Sequence, residues 1–228
     1  FGVMSLWLCL SGQLLLAQEL FARRAWGALV LAPCVGRTAA VLILLSFDAD
    51  AAGREPGVAA GLRCVFIEKA AHLRRHAGQI GFPGGAIEPA DGSKVAAALR
   101  EAEEEVGVRP SEVSVLGVLP PAHVAASNFD ATAVVGWWPR PRPLVPHDVG
   151  EIAAVHDLPL PLLVDPAARS TARHPSGYTG PAFVVGDLYI WGFTAHLLAG
   201  LFELAGWDEA WDAGRFSEIP SRFLHGRR

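Results

Sequence analysis

The feature that most constrains this chain is a glycine pair at 84–85, followed by a short polar loop and an acidic, alanine-rich stretch. Asp91 or Ser93 can cap a helix that we expect from about residue 93 to 106, because short polar side chains accept hydrogen bonds from the first amides of a helix. Gly107 suits the end of this helix, since glycine adopts the left-handed conformation at little cost. The sequence therefore predicts a tight loop that leads into one well-bounded helix.

Three carboxylates share one side of that predicted helix. Successive residues turn by about 100°, so positions i, i+3 and i+4 lie on one face. Glu101, Glu104 and Glu105 therefore form a patch, whereas Glu103 points elsewhere. Carboxylates this close repel one another unless a cation lies between them, and magnesium or manganese ions prefer oxygen ligands. We expect this patch to bind Mg²⁺ or Mn²⁺, and such metals commonly serve phosphate chemistry.

Composition narrows the class of protein. The chain has 228 residues, 51% of them apolar, which predicts one domain with a sizeable core. A net charge of −4 argues against general nucleic-acid binding, which needs a basic surface, but a metal can supply the charge that a small phosphorylated ligand requires. Three widely spaced cysteines are typical of reduced thiols in a cytoplasmic protein, not of a disulfide framework or a zinc site.

The chain divides into three predicted parts: an apolar N-terminal helical extension at 1–37, a central domain at 38–206, and a C-terminal tail at 207–228. The first 17 residues lack the basic start of a secretory signal and are short for a membrane span. We expect a packed or interfacial helix there, with membrane attachment and disorder left open as alternatives.

Apolar runs and turn residues predict the elements of the central domain. Strands are expected at 39–47, 63–67, 113–119 and 132–138, shorter strands at 151–155, 182–185 and 188–191, and a final amphipathic helix at 194–206. Loops are expected at 48–61 and 139–146, and a strand end with a turn at 78–85. Strands in runs with only two or three helices predict a mixed sheet flanked by helices.

The acidic helix resembles the signature of the Nudix hydrolases. That signature ends in Arg-Glu-x-x-Glu-Glu-x-Gly and an aliphatic residue, and residues 100–108 (REAEEEVGV) fit each fixed position. The first half departs from the pattern, because the usual Glu position falls on Gly92 and the usual Gly position on Ala86. The loop is one residue longer, with Asp91 near the usual Glu. The resemblance implies an α/β (α+β) fold, an α/β/α sandwich around a mixed β-sheet.

A longer loop of this kind is similar to that of one subgroup, the coenzyme A diphosphatases. Residues 73–85 (LRRHAGQIGFPGG) resemble the subgroup's Leu-Arg-x-His-x-Gly-Gln-aliphatic-x-Phe-Pro-Gly-Gly, and 190–195 (IWGFTA) resemble its last strand-to-helix segment. The resemblance covers about residues 38–206. Ahead of it, the subgroup usually has Thr-x-Arg-Ser where this chain has IEKA at 67–70.

The resemblance implies metal-dependent hydrolysis of a nucleoside diphosphate linked to another group. For coenzyme A, the products are 3′,5′-ADP and 4′-phosphopantetheine. Glu101 and Glu105 are then direct metal ligands, and Glu104 is a third ligand or orients water. Arg100 fixes a carboxylate. Glu151, from a later loop, is either a catalytic base or a solvated carboxylate.

Substrate contacts are expected upstream of the helix. Arg74 and Arg75 are candidates for gripping the 3′-phosphate of coenzyme A, with plain surface charge as the alternative. His76 orders the following turn or touches substrate, and Gly84 and Gly85 belong to the substrate-binding loop. The partner is a small nucleotide, and a homodimer is left open.

Two other functions remain open at this stage. One is a Nudix enzyme acting on ADP-ribose, NADH or an oxidised nucleotide. The other is a catalytically silent Nudix module that binds a nucleotide. The intact glutamate set argues against the silent module, because a chain freed from catalysis has little reason to keep three carboxylates that repel one another.

Overall fold

The computed structural model describes residues 37–52, 59–124 and 129–224. The N-terminal extension predicted at 1–37 lies outside these ranges, apart from Arg37, which begins the first strand. Within the described ranges, no helix is long and apolar enough to cross a bilayer.

Twelve strands and four helices are found in these ranges. The strands are β1 (Arg37–Phe47), β2 (Leu62–Lys69), β3 (Ile80–Gly81), β4 (Gly84–Ala86), β5 (Ser114–Val118), β6 (Ala122–Val124), β7 (Phe129–Trp137), β8 (Ile152–Pro159), β9 (Arg169–Arg173), β10 (Thr179–Val185), β11 (Leu188–Ile190) and β12 (Phe216–Glu218). The helices are α1 (Ala49–Ala52), α2 (Lys94–Val106), α3 (Leu160–Val164) and α4 (Gly192–Ala205).

The larger sheet is mixed, as predicted. Strand β1 lies at its centre, parallel to β7 and antiparallel to β2, and the path runs β3-β2-β1-β7-β5. Strand β8 pairs with the outer edge of β2, and β6 pairs with β7. The parallel pairing of β1 and β7 runs from Arg37 opposite Phe129 to Leu45 opposite Trp137, so β7 holds β1 along all but its last two residues.

The sheet splits between β1 and β2. These two strands pair only near residues 45–47 and 62–64, after which they part and the segment 80–86 fills the gap. Within that segment β3 pairs with β2, β4 pairs with β1, and the Leu42 amide donates to the Pro83 carbonyl at 2.8 Å. A Cβ on Gly84 would stand 2.6 Å from the Val41 Cα, so only glycine fits there. The glycine pair is therefore built into the sheet.

Helices cover both faces of the larger sheet. Alternate residues of β1 point to opposite sides, as the strand geometry requires, and both sides are buried. Ile43 and Leu45 join the cluster that contains α4, whereas Leu42 and Leu44 join the cluster that contains α2. Small side chains let α2 approach the sheet closely; they are Ala97, Ala98 and Ala102. The predicted α/β/α sandwich is confirmed.

A second, four-stranded sheet has the order β11-β10-β9-β12 and packs against α4. Phe183 of β10 meets Phe202 of α4 edge to face, with ring centroids 5.8 Å apart. Strand β12 comes from the predicted tail at 207–228 and pairs in parallel with β9. The sequence did not predict β9 or β12, because their residues are mostly polar and carry no clear apolar pattern.

Capping residues bound the two long helices, and those of α2 follow the predicted chemistry. Ser93 is the residue that caps α2, and its Oγ accepts a hydrogen bond from the Ala96 amide at 3.0 Å. Gly107 ends this helix in the left-handed conformation with φ 69°, and Gly206 does the same for α4 with φ 67°. The loop predicted at 48–61 differs, because it begins with the short helix α1. The Asp48 carboxylate accepts hydrogen bonds from two backbone amides of that turn.

We predict that Gly136→Ala lowers the free energy of unfolding. Gly136 lies in β7, and a Cβ there would stand 2.6 Å from Val113 Cγ1 and 3.1 Å from Leu42 Cδ1. Overpacking of this kind costs about 1–3 kcal/mol, which guanidinium unfolding resolves. Gly92→Ala is the matched control, because a Cβ at Gly92 would meet nothing within 4 Å. Equal stability of the two variants would contradict the packing described for β7.

Candidate functional site

A buried carboxylate of α2 is the meeting point of three elements. The Glu105 side chain is only 5% exposed. Its Oε1 accepts a hydrogen bond from Lys69 Nζ of β2 at 2.7 Å, and its Oε2 accepts one from the Gly84 amide of β4 at 2.9 Å. Both oxygens of Glu105 therefore have charged or dipolar donors, which offset the cost of burying the charge.

Lys69 connects this carboxylate to a second one. It ends β2 on the same face as Val65 and Ile67, the face that α2 covers. Its Nζ lies 3.4 Å from Glu151 Oε2, and the Ala70 amide donates to the Glu151 carbonyl at 2.7 Å. Burial lowers the pKa of the Lys69 ammonium, but the two carboxylates outweigh that effect and hold the pKa above its ordinary value. Glu151 is thereby brought beside Glu105.

Arg100 is the second cationic centre. Its Nε and Nη2 bind the two Asp91 carboxylate oxygens at 3.0 and 3.1 Å, and Nη2 also donates to the Ala86 carbonyl at 3.1 Å. Its Nη1 reaches Glu104 Oε2 at 2.9 Å and Glu101 Oε1 at 3.0 Å. The hydrogen bonds from Arg100 hold the pKa of the Asp91 carboxyl below its ordinary value. Asp91, from the lengthened loop, thus anchors the arginine of the signature.

The second glycine of the pair lies against Glu101. A Cβ on Gly85 would stand 2.6 Å from Glu101 Oε1, so any side chain at this position would displace the carboxylate. The loop backbone and the Glu101 carboxylate are in direct contact as a result. The two glycines have different roles, since Gly84 is required by the strand behind it and Gly85 by the helix in front.

The buried carboxylates are short of positive charge. Burial raises the pKa of Glu101, Arg100 partly counters it, and the nearby Glu105 charge raises it further. Burial also raises the pKa of Glu105 above its ordinary value, against the opposing effects of Lys69 and the Gly84 amide. The ionised form of both groups is therefore stabilised incompletely by the protein itself.

The composition of the site fits a divalent cation. Five carboxylates, those of Asp91, Glu101, Glu104, Glu105 and Glu151, are joined through two cations, Arg100 and Lys69, which leaves an excess of three negative charges. In the part of the chain that the structure describes, no three acidic, imidazole or thiol groups are grouped closely enough to hold a metal ion. Arg100 and Lys69 engage the carboxylates instead. The excess charge and the oxygen donors match the preference of Mg²⁺ and Mn²⁺.

The predicted substrate residues lie on a loop that begins at this site. Arg74, Arg75 and His76 are exposed on the segment between β2 and β3. Its two ends are tied together, because the Lys69 amide donates to the Gln79 carbonyl at 3.0 Å and the Gly78 amide donates to the Lys69 carbonyl at 3.0 Å.

His76 has a structural contact within that loop. Its backbone is left-handed with φ 57°, and its Nδ1 lies 2.8 Å from Gln79 Oε1. Among the described residues, no hydrogen bond or ion pair joins Arg74 or Arg75 to the carboxylate cluster. The arginines thus stand apart from the carboxylates and are connected to them through the backbone at Lys69.

A separate cleft lies on the other face of β2. It has a volume of about 260 Å³ and is lined in part by Glu68, Ile80, Leu188 and Phe223. Glu68 precedes Lys69 in the strand and so points to the opposite face, where it pairs with His156 at 3.1 Å. The cleft is therefore not part of the carboxylate cluster.

Sequence reasoning missed the role of Lys69 and offered Asp91 only as a helix cap or as the residue near the usual Glu of the signature, whereas Ser93 is the cap and Asp91 binds Arg100. A signal for Lys69 was present, since it continues the alternation of Val65 and Ile67 on the buried face of β2. A lysine at the end of an otherwise apolar strand face needs an acidic partner. The acidic helix was the obvious source of one.

Comparisons with known proteins indicate the family of this chain. The family model for the NUDIX domain matches residues 53–173, which include β4, α2 and Glu151. Proteins of Salmonella newport (strain SL254) and Salmonella enteritidis PT4 (strain P125109), each called uncharacterized Nudix hydrolase NudL, are 40% identical over 147 residues, covering 60% of this chain and 72% of theirs. A MutT/nudix family crystal structure from Enterococcus faecalis has 14% identity and a TM-score of 0.48, with 83% of this chain and 73% of that chain covered.

The family model spans more than half of the chain, and the Salmonella relatives are matched over most of their length. The chain therefore belongs to the Nudix family and is a Nudix hydrolase.

Proposed function

We propose that this Nudix hydrolase cleaves the diphosphate bond of coenzyme A or its thioesters. The products are 3′,5′-ADP and 4′-phosphopantetheine or its acyl derivative. The observation that carries the proposal is the placement of exposed Arg74 and Arg75 on a loop whose base, Lys69, binds the carboxylate cluster. Two guanidinium groups on a loop that begins at the cluster suit a substrate with a phosphate besides the diphosphate that is cleaved.

Glu101, Glu104 and Glu105 are the proposed metal ligands. A carboxylate offers about four lone-pair sites, so Glu105 retains acceptor capacity beside its hydrogen bonds to Lys69 and Gly84. Glu104 is 56% exposed and held at one oxygen by Arg100, so it faces incoming solutes. A bound divalent cation would neutralise the charge of the diphosphate and lower the pKa of the attacking water.

Glu151 is the proposed base. Its side chain is 58% exposed, and Lys69 holds one of its oxygens. In the reaction, the water oxygen bonds to one phosphorus, and the bridging phosphorus–oxygen bond breaks on the other side. The bridging oxygen leaves with the second phosphate, and the proton of the water passes to Glu151.

Arg100 acts as a positioning residue in this proposal. Its fork binds Asp91 with two nitrogens, which fixes the guanidinium on the loop side of α2. The remaining nitrogen then sets the orientation of Glu101 and Glu104. Because Asp91 belongs to the lengthened loop, loop conformation and carboxylate orientation are coupled.

The substrate is tested by product analysis with mass spectrometry. The protein is incubated with Mg²⁺ or Mn²⁺ and, separately, with coenzyme A, ADP-ribose, NADH and 8-oxo-dGTP. We expect 3′,5′-ADP and 4′-phosphopantetheine from coenzyme A as the main reaction. Faster turnover of another compound would replace coenzyme A as the substrate, and tight metal-dependent binding without turnover would indicate a silent module.

Arg74→Ala and Arg75→Ala are expected to weaken recognition of the 3′-phosphate. Loss of one charge-assisted hydrogen bond should raise KM for coenzyme A about tenfold or more, since each tenfold step is about 1.4 kcal/mol. Dephospho-coenzyme A lacks the 3′-phosphate, so its KM should stay within about twofold if this contact is the one lost. Arg140→Ala is the control, an exposed arginine on another loop. An equal rise in KM for both substrates would contradict the assignment.

Glu105→Gln should lower kcat by at least about 100-fold, because it removes a metal-binding charge where charge develops in the transition state. Glutamine has the same shape and can still accept from the Gly84 amide, so circular dichroism and the unfolding transition should show a folded protein. Glu103→Gln is the matched control, because Glu103 is an exposed carboxylate on the same helix. Near-normal turnover in folded Glu105→Gln would refute its assignment as a ligand.

A further inference from the structure

We propose that Lys69 is a positioning residue with two effects: it holds Glu151 in place for the reaction, and it competes with the divalent cation for Glu105. The inference rests on the proposed metal site but not on the identity of the substrate. Its basis is one ammonium that binds two carboxylates from different parts of the chain, at 2.7 Å and 3.4 Å.

The backbone of Lys69 is fixed on both sides. Across one edge of β2 it is paired with Ile152 of β8, where the register shifts between Glu68 and Lys69. Across the other edge its amide and carbonyl bind Gln79 and Gly78. The position of the Lys69 side chain is thus set by the sheet, and its ammonium is directed to the carboxylates.

The pair with Glu151 is not explained by stability. Glu151 is 58% exposed, and ion pairs between exposed groups contribute little to folding. Its backbone is already held by the Ala70 amide at 2.7 Å. What the ammonium adds is the direction of the Glu151 carboxylate, which it turns toward the face of β2 that α2 and its Glu105 cover.

The pair with Glu105 places a positive charge inside the proposed metal site. An ammonium 2.7 Å from Glu105 Oε1 repels a divalent cation that binds the same carboxylate. Without Lys69, Glu105 would keep the Gly84 amide but lose its only charged partner among the described residues. The carboxylate would then gain more from a metal ion. Removal of the lysine charge should therefore tighten metal binding while it impairs catalysis.

This pair of opposite effects separates a positioning role from a structural one. A residue that only supports the fold would weaken metal binding and turnover together when it is removed. A residue that only binds substrate would change KM. Lys69 is expected to change metal affinity and kcat in opposite directions, with little effect on KM.

The variants are Lys69→Met, which keeps the length of the side chain without its charge, and Lys69→Arg, which keeps the charge. Lys94→Met is the matched control, because Lys94 is an exposed lysine at the start of α2. Mn²⁺ affinity is measured by calorimetry in the absence of substrate. The unfolding temperature is measured in the absence of metal, and kcat and KM are measured with the preferred substrate.

We expect Lys69→Met to bind Mn²⁺ at least about fivefold more tightly and to lose at least about tenfold in kcat, with KM changed less than about threefold. Lys69→Arg should keep the Mn²⁺ affinity within about twofold of the parent, because the charge remains. In a Glu151→Gln background, Lys69→Met should lower kcat by less than about threefold further, because the group that it positions is already lost. If Lys69→Met does not fold, Lys69→Gln replaces it with the same expectations.

Weaker or unchanged Mn²⁺ binding by the folded Lys69→Met protein would overturn the inference, as would an unchanged kcat. The calorimetry involves no nucleotide, so tighter Mn²⁺ binding would support the competition even if coenzyme A proved not to be the substrate. Failure of the parent protein to bind Mn²⁺ would overturn both the metal site and the role of Lys69. Turnover of a different nucleotide would overturn only the substrate.

Discussion

One buried carboxylate determines how the parts of this site are arranged. Glu105 accepts from Lys69 on one oxygen and from the Gly84 amide on the other, so α2, β2 and β4 meet at a single group. A buried charge without partners would cost several kcal/mol. The helix α2 must therefore pack so that Glu105 keeps both contacts. Glu101, one turn earlier on α2, is then placed against Gly85, and Glu151 is reached through Lys69.

These contacts require the sheet to be open at one point. Because β1 and β2 pair over only a few residues, the segment 80–86 can enter between them and turn its backbone toward α2. A side chain at Gly84 would strike β1, and one at Gly85 would strike Glu101. The glycine pair is thus required for packing and for the site at once. The close approach of these two glycines thus links the split in the sheet to the carboxylates that we propose as the metal site.

Local signals explain what could be predicted from the sequence. The helix α2 is bounded by Ser93 and Gly107, whose roles depend on neighbouring residues only, and β1 is a long apolar run. The ion pair between Lys69 and Glu105 joins residues 36 positions apart; the alternation of β2 indicates that Lys69 needs an acidic partner, but no local pattern specifies which carboxylate it is. Strands β9 and β12 were not predicted for a different reason, since their pairing depends on tertiary contacts and not on apolar alternation. The sequence therefore predicted the helix ends and the central strand, which depend on local chemistry. It did not predict the contacts that the fold makes between distant charges.

The charge of the site shows that its arrangement is not the one that folding alone would favour. Burial raises the pKa of both Glu101 and Glu105, so their ionisation costs more in the folded protein than in the unfolded chain. Each group therefore contributes its stability below the pKa of the unfolded chain, and that contribution is lost as pH rises through the higher folded pKa. Above these raised pKa values, the metal-free protein bears the cost of two buried, ionised carboxylates. A divalent cation that binds them offsets this cost, because it stabilises the ionised form only in the folded state. In the metal-free protein, Lys69 offsets part of this cost. Its single positive charge leaves an excess of negative charge, which attracts a metal ion to the site.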